Sequence, residues 1–374
     1  MSFFVRGIGA VTPLAANVEQ TWAELLAGAE ATRQAFANGF GGRTYHCARV
    51  PQKFTAGVAR ESRLRRSGTI SLLGVTAGLA ALENAGISRD QARGGAIVFA
   101  ISCGGVEYTR RFYHEVVTEG ANNASPLLFP ETVYNAPASH LASLLKIDNR
   151  DYTLVGDSSV GISAVHFATQ LLATDPELEF CIVVGVEETD WVLADAFATW
   201  RMVTNQSSFE IFGSMRGTIL AETAAALVLG RSGRIQVARV SGGIPFFRQR
   251  DASSALRDVV TQLRRDKPPA AILCSANGTF ADRAEEIVFR ETFGSVSVYG
   301  HKPAIGDSLG ASGVLNIVLA TLTLEQQILP PTLHSGGRLE SVTREKTKID
   351  GTEVLVTSVG FNHQANAALL AINS

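Results

Sequence analysis

Apolar residues fall into two kinds of run along the chain. Short, nearly continuous ones are rich in Val, Ile and Phe and predict strands: FFVRGIGAV from Phe3, GAIVFAIS from Gly95, DYTLVGD from Asp151, FCIVVGVEE from Phe180, AAALVLGR from Ala224, AAILCSAN from Ala270 and EVLVTSVGF from Glu353. Between them, Val18 to Leu26, Ile70 to Ala85, Gly161 to Leu172, Ala252 to Leu263 and Gly313 to Leu324 repeat apolar residues at three- and four-residue spacing and predict helices. That alternation predicts a layered α/β protein with largely buried sheets. The small-residue runs VTAGLAALENAG and LGASGVLNIVLATL predict helices that lie between sheets and approach one another closely. A polar turn around Gly230 to Arg234 is the best boundary, dividing the chain into 1–232 and 233–374.

The chain has 374 residues, 46% of them hydrophobic and 18% charged, enough for a large core and too apolar for a disordered or coiled-coil chain. A net charge of -2 gives no global attraction to nucleic acid or to an anionic membrane. Cys47, Cys103, Cys181 and Cys274 show neither CxxC nor Cys/His ligand spacing. They read as reduced, packed thiols of a cytoplasmic protein, and nothing in the sequence implies a metal or a cofactor. The apolar opening MSFFVRGIGAVTPLAANV lacks a basic leader and is too short to span a bilayer.

Four segments carry candidate chemistry. Asp157-Ser158-Ser159-Val160-Gly161 ends a strand and opens a helix, which brings Ser158 to free backbone N–H groups; alone, it is more simply a helix cap. Asn277-Gly278-Thr279 follows another strand and alone is an ordinary turn. His301-Lys302-Pro303-Ala304-Ile305-Gly306-Asp307 precedes a Gly-rich helix entry, and Ser358-Val359-Gly360-Phe361-Asn362-His363 runs from a strand into a polar turn.

In this order the segments resemble the β-ketoacyl-acyl-carrier-protein synthases, the condensing enzymes of fatty acid and polyketide synthesis. VRGIGAVTPLAANVEQTWAELLAG (Val5 to Gly28), FPETVYNAPASHLA (Phe129 to Ala142), GTILAETAAALVL (Gly217 to Leu229) and the stretch from Lys302 to Gly313 carry the likeness over nearly the whole chain. The resemblance implies the thiolase fold, with 1–232 and 233–374 as two similar α/β halves in a layered αβαβα arrangement. It also implies which positions hold the family's active site. Ser158 stands where the nucleophilic Cys is expected, with Gly161 matching the motif's Gly. Asn277 and Asp307 stand at the two catalytic His positions, Lys302 is kept, and Asn316 replaces an acidic residue. Asn362 and His363 replace glycines that line the acyl pocket, and Val359 reads as pocket-facing.

Those substitutions remove the thiolate that accepts the acyl chain and the donors that stabilise the enolate of decarboxylation. An ionised Asp307 would place negative charge where negative charge develops. The pattern therefore resembles the chain-length-factor subunits that pair with a Cys-containing ketosynthase in type II fatty acid, polyketide or aryl polyene systems. Acyl carrier protein is the second partner implied, and the basic cluster Arg60, Arg63, Arg65 and Arg66 is its candidate dock. A different class remains open, a serine acyltransferase or thioester hydrolase with Ser158 as nucleophile, His363 as base and Asp307 orienting it. A third is a homodimeric acyl or carrier-protein binding module without chemistry.

Overall fold

A computed structural model of the chain describes every residue except Met1, Asn38, Phe40, Asn149, Met215, Asp266, Asn362 and Ser374. Among the described residues, ten strands run in one continuous path. They are β1 (Phe3–Val11), β2 (Gly95–Ile101), β3 (Asp151–Val155), β4 (Phe180–Glu187), β5 (Thr223–Gly230), β6 (Ile235–Val240), β7 (Ala271–Leu273), β8 (Ser297–Tyr299), β9 (Glu353–Val359) and β10 (Gln364–Ile372). Their order is β8-β7-β9-β10-β6-β1-β5-β4-β2-β3, and a two-residue strand, Ile244–Pro245, pairs with β10 off this path.

The path repeats one design. β3, β2 and β4 are parallel, and β5 and β1 follow antiparallel. On the other side β8, β7 and β9 are parallel, and β10 and β6 follow antiparallel. The two groups of five join only through Phe3 to Val5 against Ile235 to Val237.

Helices make the remaining layers. Apart from a single turn at Ala56–Ala59, they are in chain order α1 (Val18–Leu26), α2 (Thr69–Asn84), α3 (Val106–Glu119), α4 (Ala136–Leu145), α5 (Val160–Thr174), α6 (Trp191–Thr199), α7 (Ala252–Leu263), α8 (Phe280–Thr292), α9 (Lys302–Ile305) and α10 (Gly310–Gln326). The pairs α2 and α4 cover one outer face and α7 and α8 the other, while α5 and α10 lie between the two groups of strands. This is the expected αβαβα layering. Every residue of α10 from Gly310 to Leu324 is buried, which explains its apolar composition on all sides. The close approach predicted from small residues is met where α5 crosses α10: a Cβ on Gly161 would lie 2.7 Å from Val314 N and 3.0 Å from Gly313 Cα.

Strand and helix ends follow the sequence reading within a few residues, with one systematic exception. β7 stops at Leu273, because Cys274 to Ala276 leave the ladder to lead into the Asn277 turn. The cysteines are free, three of them fully buried and Cys103 partly so. Burial pushes the Cys103, Cys181 and Cys274 thiols far up, so all three stay protonated. Among the described residues no helix is long and apolar enough to cross a membrane, and no cluster of His, Cys, Asp and Glu has the geometry of a metal site.

Candidate functional site

The site forms where parallel strands from both groups end. β3 leads through Gly156 and Asp157 into Ser158, one residue ahead of the residue that precedes α5. Asp157 Oδ1 accepts hydrogen bonds from Ser159 N (3.0 Å) and Ser159 Oγ (2.9 Å) and shapes this corner. Ser158 is 1% exposed, its carbonyl accepts from Ser358 Oγ at 2.8 Å, and its own Oγ has no hydrogen-bond partner among the described residues. The end of β9 meets it directly. A Cβ on Gly360 would lie 2.0 Å from Asp157 Oδ1, so that position requires glycine.

Asn277 follows β7, and both ends of its amide are occupied. Its Nδ2 donates to Asp307 Oδ2 at 2.7 Å, and its Oδ1 accepts from Thr279 Oγ1 at 2.6 Å. Thr279 in turn caps α8 by accepting from Ala281 N. Asp307 is the hub. Its Oδ1 lies 3.1 Å from Lys302 Nζ and accepts from Ser312 Oγ (3.1 Å) and Leu309 N (3.2 Å). Lys302 and Asp307 are both fully buried. Burial alone would raise the Asp307 carboxyl, but the neighbouring Lys302 ammonium and the Asn277 and Ser312 hydrogen bonds outweigh it and hold it below its ordinary value. Asp307 is therefore ionised and paired.

Two further devices fix this corner. Arg33 donates to the carbonyls of Ile305 (2.6 Å), Pro303 (2.8 Å) and Ala304 (3.2 Å), and so staples α9 in place. Leu309 adopts φ +38, a backbone conformation costly for leucine, held where Asp307 accepts its N–H. Beside Lys302, His301 Nδ1 lies 2.9 Å from Asn316 Oδ1, whose Nδ2 donates to Cys274 O at 2.9 Å. Burial and the neighbouring Lys302 cation depress the His301 imidazole to about 3, so it is neutral and its Nδ1 carries the proton given to Asn316.

A ring of buried carboxylates, which the sequence reading missed, ties down the surrounding loops. Asp282 accepts from Asn277 N, Gly278 N and Phe212 N, and Glu285 from Ser275 N, Ser275 Oγ and Thr357 Oγ1. Glu187 holds Ser102 N and Cys103 N, Glu188 holds Ile70 N and Glu107 N, and Glu222 holds Val50 N. Burial pushes Glu187 up to about 8 and Glu188, Glu222 and Asp282 up to about 7. The signal was present: Glu187-Glu188-Thr189-Asp190 closes a wholly apolar strand, where acidic residues have no reason to sit unless they accept buried N–H groups.

His363 does not join Ser158 and Asp307. It sits at φ +65 with its ring stacked on Phe246 at 5.2 Å, while Asp307 is engaged by Lys302, Asn277 and Ser312. No hydrogen bond links His363 to either residue among the described ones, so the alternative arrangement of Ser158, His363 and Asp307 is not assembled. The stack continues as an aromatic ladder, Trp200–Phe197–Phe361–Phe280–Phe246, with centroids 5.6 to 6.3 Å apart. Phe280 and Phe361 thus pack against each other where α8 begins. Val359, read as pocket-facing, is a correction: it is buried in the core cluster that also holds Val288 and Phe289. The strand alternation turns it away from the site. Asn362 lies outside the described residues.

The beta-ketoacyl synthase N-terminal domain model matches residues 3–233, and the C-terminal domain model matches residues 242–336. The chain belongs to the β-ketoacyl synthase family. Curated relatives include the 3-oxoacyl-[acyl-carrier-protein] synthase 2 of Coxiella burnetii, 22% identical over 96% of this chain and 95% of that protein. The Rhizobium meliloti protein of the same name is 25% identical over 98% and 94%. The fold is shared with the ishigamide ketosynthase/chain length factor, at a TM-score of 0.86 and 17% identity over 100% and 99% of the two chains. It is also shared with the ketosynthase ApeO in complex with its chain length factor ApeC from Xenorhabdus doucetiae, at 0.81 and 18% over 100% and 98%. The architecture of this β-ketoacyl synthase homologue is thus the thiolase-like ketosynthase fold anticipated from its motifs.

Proposed function

We propose that this chain is a condensation-inactive β-ketoacyl synthase homologue that acts as a chain-length-factor-like subunit, paired with a Cys-containing ketosynthase in type II fatty acid, polyketide or aryl polyene synthesis. The observation that carries the reading is the closed Asn277–Asp307–Lys302 network. Taking Ser158, Asn277, Lys302 and Asp307 as the family's active-site positions, each group that would act on substrate is absent or consumed. Asn277 gives its N–H to Asp307, Lys302 is neutralised by the same carboxylate, and Asp307 brings a negative charge where a condensing site needs donors. Ser158 Oγ has no base within hydrogen-bond reach among the described residues, and a serine hydroxyl without one is a weak nucleophile.

Pairing is supported by the sheet edge. β3 ends the path, Val155 is 53% exposed, and a cavity of about 320 Å³ opens beside it, lined by Leu154, Val155, Asp157, Ser159, Ser163 and Gln364. An uncovered edge strand invites a partner strand. A partner ketosynthase seated there would make this cavity part of the wall that limits its acyl chain. Tyr113, Val117, Leu127, Phe129 and Tyr134, exposed on α3 and the segment after it, supply apolar area for the same contact. Arg60, Arg63, Arg65 and Arg66 are exposed, and none pairs with a carboxylate among the described residues, which suits an acidic carrier protein. We place the division into two thiolase-like halves at 232/233.

The test is co-expression with ketosynthases from the same genome, followed by pull-down and gel filtration. A one-to-one complex that condenses, with no condensation by this chain alone, is expected. A condensing homodimer, or an isolated chain that forms a Ser158 acyl adduct lost in His363→Ala, overturns the reading.

A further inference from the structure

A single buried carboxylate joins two surfaces that lie far apart in the chain, the arginine segment 60–66 and the apolar face on α3 and the residues after it. Glu131 closes the turn Phe129–Glu131 and is 6% exposed, whereas Phe129 and Tyr134 beside it stand out on the apolar face. Its side chain reaches away from them. Oε2 accepts from Gly68 N at 2.8 Å and from Ser71 Oγ at 3.1 Å, and Oε1 lies 2.6 Å from His140 Nε2. The same Nε2 lies 3.2 Å from Ser67 Oγ. Gly68 precedes α2 and brings no side chain to cap it, so Glu131 supplies from another element the acceptor and the negative charge that a helix start favours. Burial alone would raise the Glu131 carboxyl, but the His140, Gly68 and Ser71 bonds hold it below its ordinary value, so it is ionised.

The rest of the segment is held lightly. Its backbone bonds are local turns, with Glu61 N donating to Val58 O, Leu64 N to Glu61 O and Ser67 N to Leu64 O. Leu64 is its one apolar side chain and is buried. Tyr108 donates to Arg66 O at 3.0 Å, Arg63 donates to Ser143 Oγ, and Glu61 pairs with Arg89 at 2.9 Å. These last three contacts are exposed, and exposed pairs contribute little. Order at the Arg66 to Gly68 end therefore depends on Glu131, whose backbone belongs to the other surface.

We propose that Glu131 is a positioning residue that couples the two surfaces. A ketosynthase seated on Phe129 and Tyr134 fixes the turn that carries Glu131, the carboxylate then holds residues 67–71, and Arg60, Arg63, Arg65 and Arg66 are presented in one arrangement to an acidic carrier protein. The coupling is reciprocal, so carrier protein on the arginines also favours pairing. The inference rests on the pairing and the carrier dock proposed above, and it names how the first regulates the second.

The experiment is timed trypsin cleavage of the full chain, alone and in complex with the co-expressed ketosynthase. Cuts after Arg60, Arg63, Arg65 and Arg66 are followed by mass spectrometry, with the cut after Arg250 as internal control. Cleavage of a transiently open segment tracks its open population. Bonds to a charged acceptor are strong enough that Glu131→Ala should speed these cuts in the isolated chain by about tenfold or more, with the Arg250 cut unchanged. Pairing should slow them by about fivefold or more in the native chain and by clearly less in Glu131→Ala. Ser71→Ala/His140→Gln, which leaves the apolar face intact, should shift both rates in the same directions by less, and it decides the matter if Glu131→Ala does not fold. Equal cleavage of the native and variant chains overturns the proposal. So does equal slowing by pairing in both, which means that the ketosynthase covers the arginines directly. Failure of every ketosynthase to pair removes the proposed pairing and the coupling with it, and a carrier affinity indifferent to Arg63→Glu/Arg66→Glu does the same for the dock.

Discussion

Replacing Asp307 by Asn keeps the shape of the side chain and removes the charge that neutralises Lys302, which is fully buried. Breaking one partner of a buried pair typically costs about 3–5 kcal/mol. Asp307→Asn should therefore be destabilised by about 3–5 kcal/mol at pH 7. Lys302→Met should lose a similar amount at pH 7, and the double variant clearly less than the sum. Equilibrium urea unfolding followed by the fluorescence of Trp22, Trp191 and Trp200 measures all three. A deficit below about 1 kcal/mol at pH 7 would refute the reasoning.

The remaining predictions bear on chemistry, partner and pH. Ser158→Cys alone should not restore condensation of malonyl and acyl thioesters, because Asn277 and Asp307 stay bonded to each other; product at rates usual for the family in a single-turnover assay counts against this. Ser158→Ala should leave the partnered complex making the same product at a similar rate, whereas Ser163→Phe, which fills the cavity beside β3, should shorten the product, both read by mass spectrometry. Stability should peak near the unfolded carboxyl value, at about pH 4. Glu187, Glu188, Glu222 and Asp282 have raised values in the fold, so their contribution is full below the unfolded carboxyl value and is lost as pH rises through about 7 to 8. Asp307 has a lowered value, so its contribution is present above the unfolded value and lost as pH falls through the folded one. Denaturation midpoints across pH 3 to 9 that rise steadily with pH would contradict that balance.

Seven of the ten strands, several helices and the layer order could be read from the sequence, because they depend on local periodicity and on motif order, whereas the strands Ile235–Val240, Ser297–Tyr299 and Gln364–Ile372 were missed. The run Phe3 to Val11 is a strand in any apolar surrounding, and Gly310 to Leu324 has no polar face with which to be anything but buried. The Lys302–Asp307 pair is local in the same sense, since α9 and Gly306 return the two side chains to one place. What sequence spacing could not decide was the fate of groups far apart in the chain. Whether His363 reaches Asp307 depends on whether Phe246, 117 residues earlier, offers it a ring to stack on. Val359 was misjudged because strand parity fixes which face a side chain takes only once the register against β10 is known. The buried acidic groups were hidden for a related reason: Glu187, Glu222 and Asp282 are justified by backbone N–H groups of loops remote in sequence, and a buried carboxyl group makes sense only when the donors that surround it have been brought there by the fold.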